Sequence, residues 1–332
     1  MGVILGFSNT HNGSVALICD GEVKVAIQAE RISRNKRQSL PVGKELELTQ
    51  KCVRYCLDAS GYEYRDIEAV AFSTPWNVEE ISNNNLFRYI GGAPKDYQKT
   101  FYVPHHLSHM EYIVHYGGLM PGIVLVIDGS GTIESDRALL NVHEEKHQKI
   151  INHTHFCGKE VVSAYWFDGS KTSLIYRFSP SQAPVEEYNR DSGGLLQSIG
   201  HYWEWASLYC CGSRNEAGKV MGLAAFGNLA LTKKNEILSV TNDGRLELNF
   251  QSIKETYNDP NVFGLDLSNS MHHQNLALKV QKETEDAILK LLKILQKKHP
   301  TKNLYLSGGV ALNVVANERI KTSNLFENII LN

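Results

Sequence analysis

The chain has 332 residues, 42% hydrophobic and 21% charged, enough for a large core and about two structural units. A formal net charge of −2 excludes a general attraction for nucleic acid or an anionic membrane, so neither is expected as a partner. A small molecule is the expected partner, and any anionic ligand must be held by local groups.

Cys19, Cys52, Cys56, Cys157, Cys210 and Cys211 have neither metal-finger spacing nor the density of a disulfide scaffold, which points to a reducing cytoplasm. No apolar run approaches the ~20 residues that span a bilayer. The start, Met1-Gly2-Val3-Ile4-Leu5-Gly6-Phe7, has no basic signal-peptide region, and Gly6 stands where a myristoylation signal wants Ser or Thr.

Val3–Phe7, Ser14–Cys19 and Val23–Gln28 are short β-type runs separated by Ser8-Asn9-Thr10-His11-Asn12-Gly13 and by Asp20-Gly21. Asp-Gly between apolar runs signals a hairpin, so the chain opens as an antiparallel meander. The first turn, small and polar, can present backbone N–H groups to a phosphate, and a plain hairpin turn has the same composition. Glu30 to Arg37 follows as a basic segment, a solvated loop by composition, although four cations in seven residues stand beside the possible phosphate turn. Leu48, Cys52, Val53, Cys56 and Leu57 recur at helical spacing and stop before Gly61. Ile67–Phe72 and Thr100–Val103 read as strands, with an Asn-rich loop or helix edge at 83–85 between them.

Thr100–Val103 leads into Pro104-His105-His106-Leu107-Ser108-His109. With no Gly or Pro until Gly117, 105–117 reads as a helix, on which His105 and His109 share a face. Gly122–Ile127 reads as a strand running into Asp128-Gly129-Ser130-Gly131, which sets a carboxylate at the strand's C-terminal edge. Two imidazoles and one carboxylate suit an open-sided site for a first-row divalent metal. A histidine pair without a helix-borne Glu between also arises with no metal, and spacing alone leaves both readings open.

The order then begins again. Gly122–Ile127 is followed by β-type runs at Ala138–Val142, Lys149–His155 and Thr172–Phe178, and by a helix-like Gly193–Leu208 containing Trp203 and Trp205. Residues 215–227 mix small residues with Lys219, as does a helix lying close to a ligand or one packed closely on another helix. Residues 228–271 are polar and read as an insertion. Leu276, Val280, Ala287, Ile288, Leu291, Leu292 and Leu295 form the clearest helical stripe, ended by His299-Pro300. Leu304–Leu306 is a strand, Ser307-Gly308-Gly309 a tight turn, Ala311–Lys321 a helix and Asn328–Leu331 a last strand. A strand, a Gly-Gly turn and a helix N-terminus commonly seat a nucleotide, although any short βα loop favours glycine.

Two successive halves of this order place the chain in the α/β class, as a duplicated actin/sugar-kinase/Hsp70-like (ASKHA) fold with two βββαβαβα-type lobes and the ligand between them. The lobes are expected at 1–120 and 121–332, with the insertion around 228–271. The last strand, Ile329-Ile330-Leu331, leaves an apolar end of a kind domains seldom leave bare. The second lobe is therefore expected to be truncated at its C-terminus and the protein to continue beyond Asn332.

With these residues in place, the chain resembles, from Val3 to Asn332, the carbamoyltransferase family that includes nodulation protein NodU and the O-carbamoyltransferases of antibiotic biosynthesis. The resemblance rests on four motifs in order: His-His-x-x-His at 105–109, Asp-Gly-x-Gly at 128–131, the glycine-alanine-rich 218–227 and Ser-Gly-Gly-Val-Ala-Leu-Asn at 307–313. It implies transfer of a carbamoyl group from carbamoyl-adenylate, made from carbamoyl phosphate and ATP, to a hydroxyl of a sugar or natural product. It also implies similarity to the tRNA threonylcarbamoyl-transferase, and a YrdC-like adenylate-forming domain in cis, C-terminal to this chain and absent from it. Without that domain the chain is expected not to make carbamoyl-adenylate.

By the same resemblance His105, His109 and Asp128 are metal ligands, with iron(II) the expected ion. His11, as a base, and Lys36, as a counter-charge to phosphate, are implied at the reacting groups. Gly129, Ser130, Gly131, Glu216, Lys219, Gly308, Gly309 and Asn313 are implied in the nucleotide part. Three departures stand out: the family's remaining ligand, an Asp, would follow the last strand beyond Asn332, Met110 replaces the usual Ala, and Arg37 stands where His often follows the Lys. Two rivals are a kinase or ATPase of the same fold class, which needs no histidine pair and has no use for carbamoyl phosphate, and a non-catalytic nucleotide-binding module.

Overall fold

Strict alternation sets the first sheet: β1 (Val3–Ser8) buries Val3, Leu5 and Phe7, and β2 (Ser14–Cys19) buries Val15, Leu17 and Cys19. The computed structural model describes residues 2–41, 46–74, 89–92, 99–134, 146–154, 158–180, 197–231, 235–249, 252 and 271–331. The 83–85 segment and the expected strand Ala138–Val142 lie outside them, as does Cys157.

β3 (Glu22–Gln28) follows the Asp20-Gly21 turn as a largely exposed edge strand carrying Glu22 and Lys24, charges that discourage further pairing. The basic segment after it opens as a short helix, α1 (Ala29–Ser33), rather than a loop. It then folds back on Glu30, whose carboxylate accepts the Arg37 N–H at 3.0 Å and pairs with Arg31 at 3.5 Å. Next come α2 (Glu47–Ser60), β4 (Ile67–Thr74), β5 (Lys99–Pro104) and α3 (His105–Tyr116). The sheet order is β3-β2-β1-β4-β5, with β1–β2 and β2–β3 antiparallel, and β1–β4 and β4–β5 parallel. Cys52, Val53, Cys56 and Leu57 of α2 join Leu5, Leu17 and Val70 in the core beneath it.

The second sheet uses β6 (Gly122–Ile127), β7 (Lys146–Thr154), β8 (Val162–Phe167), β9 (Thr172–Ser179), β12 (Asn303–Ser307) and β13 (Asn328–Leu331), in the order β13-β12-β6-β8-β9-β7. With β7 set aside as an added edge, this repeats the first sheet strand for strand. β6–β8 and β8–β9 are antiparallel, and β6–β12 and β12–β13 are parallel. The repeat establishes the duplicated ASKHA-type α/β fold expected from the sequence. β8 has no counterpart in the sequence reading, because it is buried on both faces and reads as a mixed run, Val-Ser-Ala-Tyr-Trp-Phe, without period-2 alternation.

The remaining elements are α4 (Ile199–Cys211), α5 (Ala217–Leu223), the hairpin β10 (Leu238–Val240) and β11 (Leu246–Leu248), α6 (Met271–Lys298) and α7 (Val314–Thr322). Within 228–271, Leu238, Val240, Leu246 and Leu248 enter the second core, so this stretch is not wholly polar in use. The helix expected from Ala311 begins instead at Val314, after a 3-10 turn over Gly309–Leu312, because Asn313 caps it by accepting the Ala316 N–H at 3.0 Å. No described helix is both long and apolar enough to cross a membrane. The chain divides into two compact units, one running through Ser108 and the other taking in His109–Glu134 and the later elements.

Glu283 on α6 anchors the β10 segment. Its carboxylate accepts the N–H groups of Ile237 and Leu238, both at 3.1 Å, and the Tyr202 hydroxyl at 2.9 Å, and it pairs with buried Lys279 at 2.8 Å. Glu283→Ala leaves Lys279 without its carboxylate partner and is expected to cost about 3–5 kcal/mol in denaturant unfolding. Glu22→Ala, at an exposed edge, should leave the midpoint in place.

Candidate metal centre and the loops around it

β5 ends at Pro104 and α3 begins at His105, with the Ser108 hydroxyl donating to the Pro104 carbonyl at 3.1 Å. The helix buries His106, Met110, Ile113 and Val114 as one stripe, leaving His105 and His109 half-buried on the adjoining face. Met110, one of the three departures from the family pattern, is thus a packing position. β6 is buried along its whole length, and Asp128 is the first residue beyond it.

One donor atom from each of His105, His109 and Asp128 lies within 4.8 Å of the other two. His109 Nε2 and Asp128 Oδ2 stand 3.3 Å apart. Two donors on one tetrahedral ion, each about 2.1 Å from it, are about 3.4 Å apart, so this pair is already at bonding separation. Both residues are tied on the opposite side: Asp128 Oδ1 accepts the Gly129 N–H at 2.7 Å, and His109 Nδ1 is hydrogen-bonded to Ser307 Oγ at 3.1 Å. Each keeps one donor atom for the shared point, and the residues fit a divalent ion.

The turn after β12 sits directly on the end of β6. Gly308 has φ +95°, and a Cβ there would fall 2.3 Å from the Ile127 carbonyl oxygen, while one at Gly309 would meet Asp128 Oδ1 at 3.0 Å. On the other side Gly200 of α4 approaches so closely that a Cβ would lie 2.4 Å from Gly129 Cα. Ser198, the N-cap of α4, holds its hydroxyl 3.1 Å from the Asp128 carbonyl oxygen and 2.8 Å from that of Gly129. Gly131 N–H donates to the Glu160 carbonyl at 2.6 Å.

Beside this loop α4 presents two ionisable groups that the sequence did not single out. A Cβ on Gly129 would stand 3.5 Å from Glu204 Oε1 and 3.6 Å from His201 Cδ2. Burial, then the charges of Lys159 and Arg214, push His201 down to about 4 against the opposing pull of Asp128. Burial also raises Glu204, with Arg214 opposing.

Glu216 caps α5, donates its N–H to Ser207 Oγ at 2.7 Å and pairs with exposed Lys219 at 3.2 Å. Of the small residues here, Gly227 is required by helix contact, since a Cβ would strike the Gln274 carbonyl oxygen of α6 at 2.4 Å. Gly218 and Gly222 meet nothing within 4 Å. Asn313 is buried, its amide engaged with Gln281 in both directions, at 3.0 and 3.2 Å, as well as with its cap. In the first unit, exposed His11 and exposed Lys36 lie on adjoining loops, because Gly13 N–H donates to the Gln38 carbonyl at 2.9 Å and leaves no room for a Cβ against Leu40.

The fold and this donor set define an ASKHA-type α/β protein with a candidate metal centre at the carboxyl ends of two adjacent parallel strands, β6 and β12, where such sheets bind ligands. Residues 3–332 match the family described as carbamoyltransferase N-terminus, and the chain belongs to that family. It is 24% identical over 343 residues to nodulation protein NolNO of Sinorhizobium fredii, covering 96% of this chain and 43% of that protein. An uncharacterized protein of Synechocystis sp. is 23% identical, covering 98% and 53% respectively. The chain therefore spans about half the length of the curated relatives it matches. Full-length HypF, solved in a phosphate- and nucleotide-bound form, shares the fold with a TM-score of 0.60 at 11% identity, covering 100% of this chain and 52% of that one.

Two outcomes follow. Gly308→Ala forces a side chain into a glycine-only backbone region and against Ile127, and should cost about 2–5 kcal/mol by chemical unfolding. His201 binds its proton less readily folded than unfolded. Stability is thus full above pH 6.5 and is lost as pH falls from there toward about 4, by on the order of 3 kcal/mol. His201→Gln should flatten that acid limb of the pH–stability curve.

Proposed function

We propose that this chain is the carbamoyl-transferring part of a cytoplasmic O-carbamoyltransferase, acting on carbamoyl-adenylate that a YrdC-like domain in cis makes from carbamoyl phosphate and ATP. The acceptor is a hydroxyl of a sugar or other small molecule. The observation that carries the reading is the convergence of His105, His109 and Asp128 on one point, in a chain of this family. The greater length of its relatives supports a further domain, and the phosphate- and nucleotide-bound HypF supports a nucleotide ligand for the fold.

In the transfer, the bond between the carbamoyl carbon and the phosphate-bridging oxygen breaks and a bond from that carbon to the acceptor oxygen forms. The acceptor proton goes to a base, and AMP leaves with the electron pair of the broken bond. A divalent ion on the three ligands, iron(II) on this reading, supplies a Lewis acid for the carbamoyl oxygen or an anchor for the phosphate. His11, exposed in the turn after β1, takes the acceptor proton. Lys36, on the adjoining loop, offsets the charge growing on the leaving phosphate. On this reading the loops carrying Gly129, Ser130, Gly131, Gly308 and Gly309 face the nucleotide, with Glu216 and Lys219 at its end, while buried Asn313 acts indirectly, as the cap that fixes the start of α7 after the Gly308-Gly309 turn.

The test supplies preformed carbamoyl-adenylate, a simple sugar and iron(II) under anaerobic conditions, and follows AMP and carbamoylated sugar. Metal-dependent AMP release is expected, reduced about 100-fold or more in His105→Ala, His109→Ala and Asp128→Ala. Absence of metal-dependent turnover, or phosphorylation of the sugar from ATP alone, would sink the proposal.

A further inference from the structure

The hydrogen bond between Ser307 and His109 joins residues 198 positions apart, at the end of β12 and at the start of the second turn of α3. Ser307 is fully buried, and its strand register against Val126 of β6 fixes its height relative to Asp128. The neutral His109 ring has two tautomers, and when its proton is on Nε2 that N–H faces Asp128 Oδ2, 3.3 Å away. Nδ1 is then the acceptor, and the Ser307 hydroxyl donates to it. A metal needs the Nε2 lone pair, so the neutral ring must carry its proton on Nδ1 instead, and the same hydroxyl must now accept.

We infer that Ser307 is a positioning residue whose hydroxyl, donor or acceptor as needed, follows the tautomer of His109 and holds the ring in one orientation with and without the ion. A backbone carbonyl in its place could serve only the Nδ1–H form, and a backbone amide only the other. The proton count of the ring is unchanged by the switch: Nε2 gives up its proton, Nδ1 gains one, and the lone pair freed on Nε2 makes the metal bond. The inference rests on the metal reading above.

The experiment measures Co(II) binding to the full chain by calorimetry and by the visible absorption of the bound ion, in wild type, Ser307→Ala, Ser307→Thr and Ser307→Val. Thr and Val differ only by hydroxyl against methyl, so comparing them removes the packing cost of the added volume. We expect the Ala and Val variants to bind about 10–100-fold more weakly than wild type and Thr respectively. In parallel, 15N spectra of histidine-labelled wild type should show His109 passing from the Nε2–H to the Nδ1–H form on adding Zn(II). Equal affinity of Thr and Val, or one unchanged tautomer, overturns the role of Ser307 while leaving the metal site standing. A wild-type chain that binds neither ion overturns the metal reading and this inference with it.

Discussion

The candidate site depends on one close approach, that of the Ser307-Gly308-Gly309 turn to the end of β6. Parallel pairing brings Ser307 level with Val126, and the chain must then leave the sheet without colliding with Ile127 and Asp128. Only a residue without Cβ can do so at Gly308, and the second glycine leaves Asp128 Oδ1 room to turn back onto the Gly129 N–H. Once that turn is seated, Ser307 meets His109 and Asp128 keeps its other oxygen for the histidine. The glycines act here through the space they leave.

The same logic explains Gly200 and Ser198 on the opposite side. α4 starts almost in contact with Gly129, which needs a glycine in its first turn, and its cap serine hydroxyl reaches the carbonyl oxygens of Asp128 and Gly129. The loop is thus held by β12 on one side and α4 on the other. The carboxylate position is set by the Gly129 N–H together with the backbone that β12 and the Ser198 hydroxyl hold on either side.

What could be read from the sequence follows from range. His105 and His109 share a helix face by spacing alone, Asp128 announces itself at the end of an apolar run, and the β1–β3 meander is written in its alternation and its Asp-Gly turn. β8 was invisible because burial on both faces erases period 2. Ser198 reaches the site from 70 positions along the chain, with His201 and Glu204 on the same helix, and no local pattern marks them; Ser307 stands in a turn the sequence shows, but its contact with His109, 198 positions away, is not written locally. α7 starts at Val314 and not at the expected Ala311, because the Gly-Val-Ala-Leu run ahead of Asn313 reads equally well as helix.

The donor set also bears on the charge of the whole chain. A protein with a formal charge of −2 has no overall field to draw in a phosphate, so attraction must be made locally. Two neutral imidazoles and a carboxylate carry −1, and on the proposed reading a divalent ion turns that to +1, reversing the sign of the field at the mouth of β6 and β12. Lys159 and Arg214, close enough to act on His201, reinforce the same sign from the α4 side. On the proposed reading, affinity for an anionic donor is tied to metal loading and not to the surface charge of the chain.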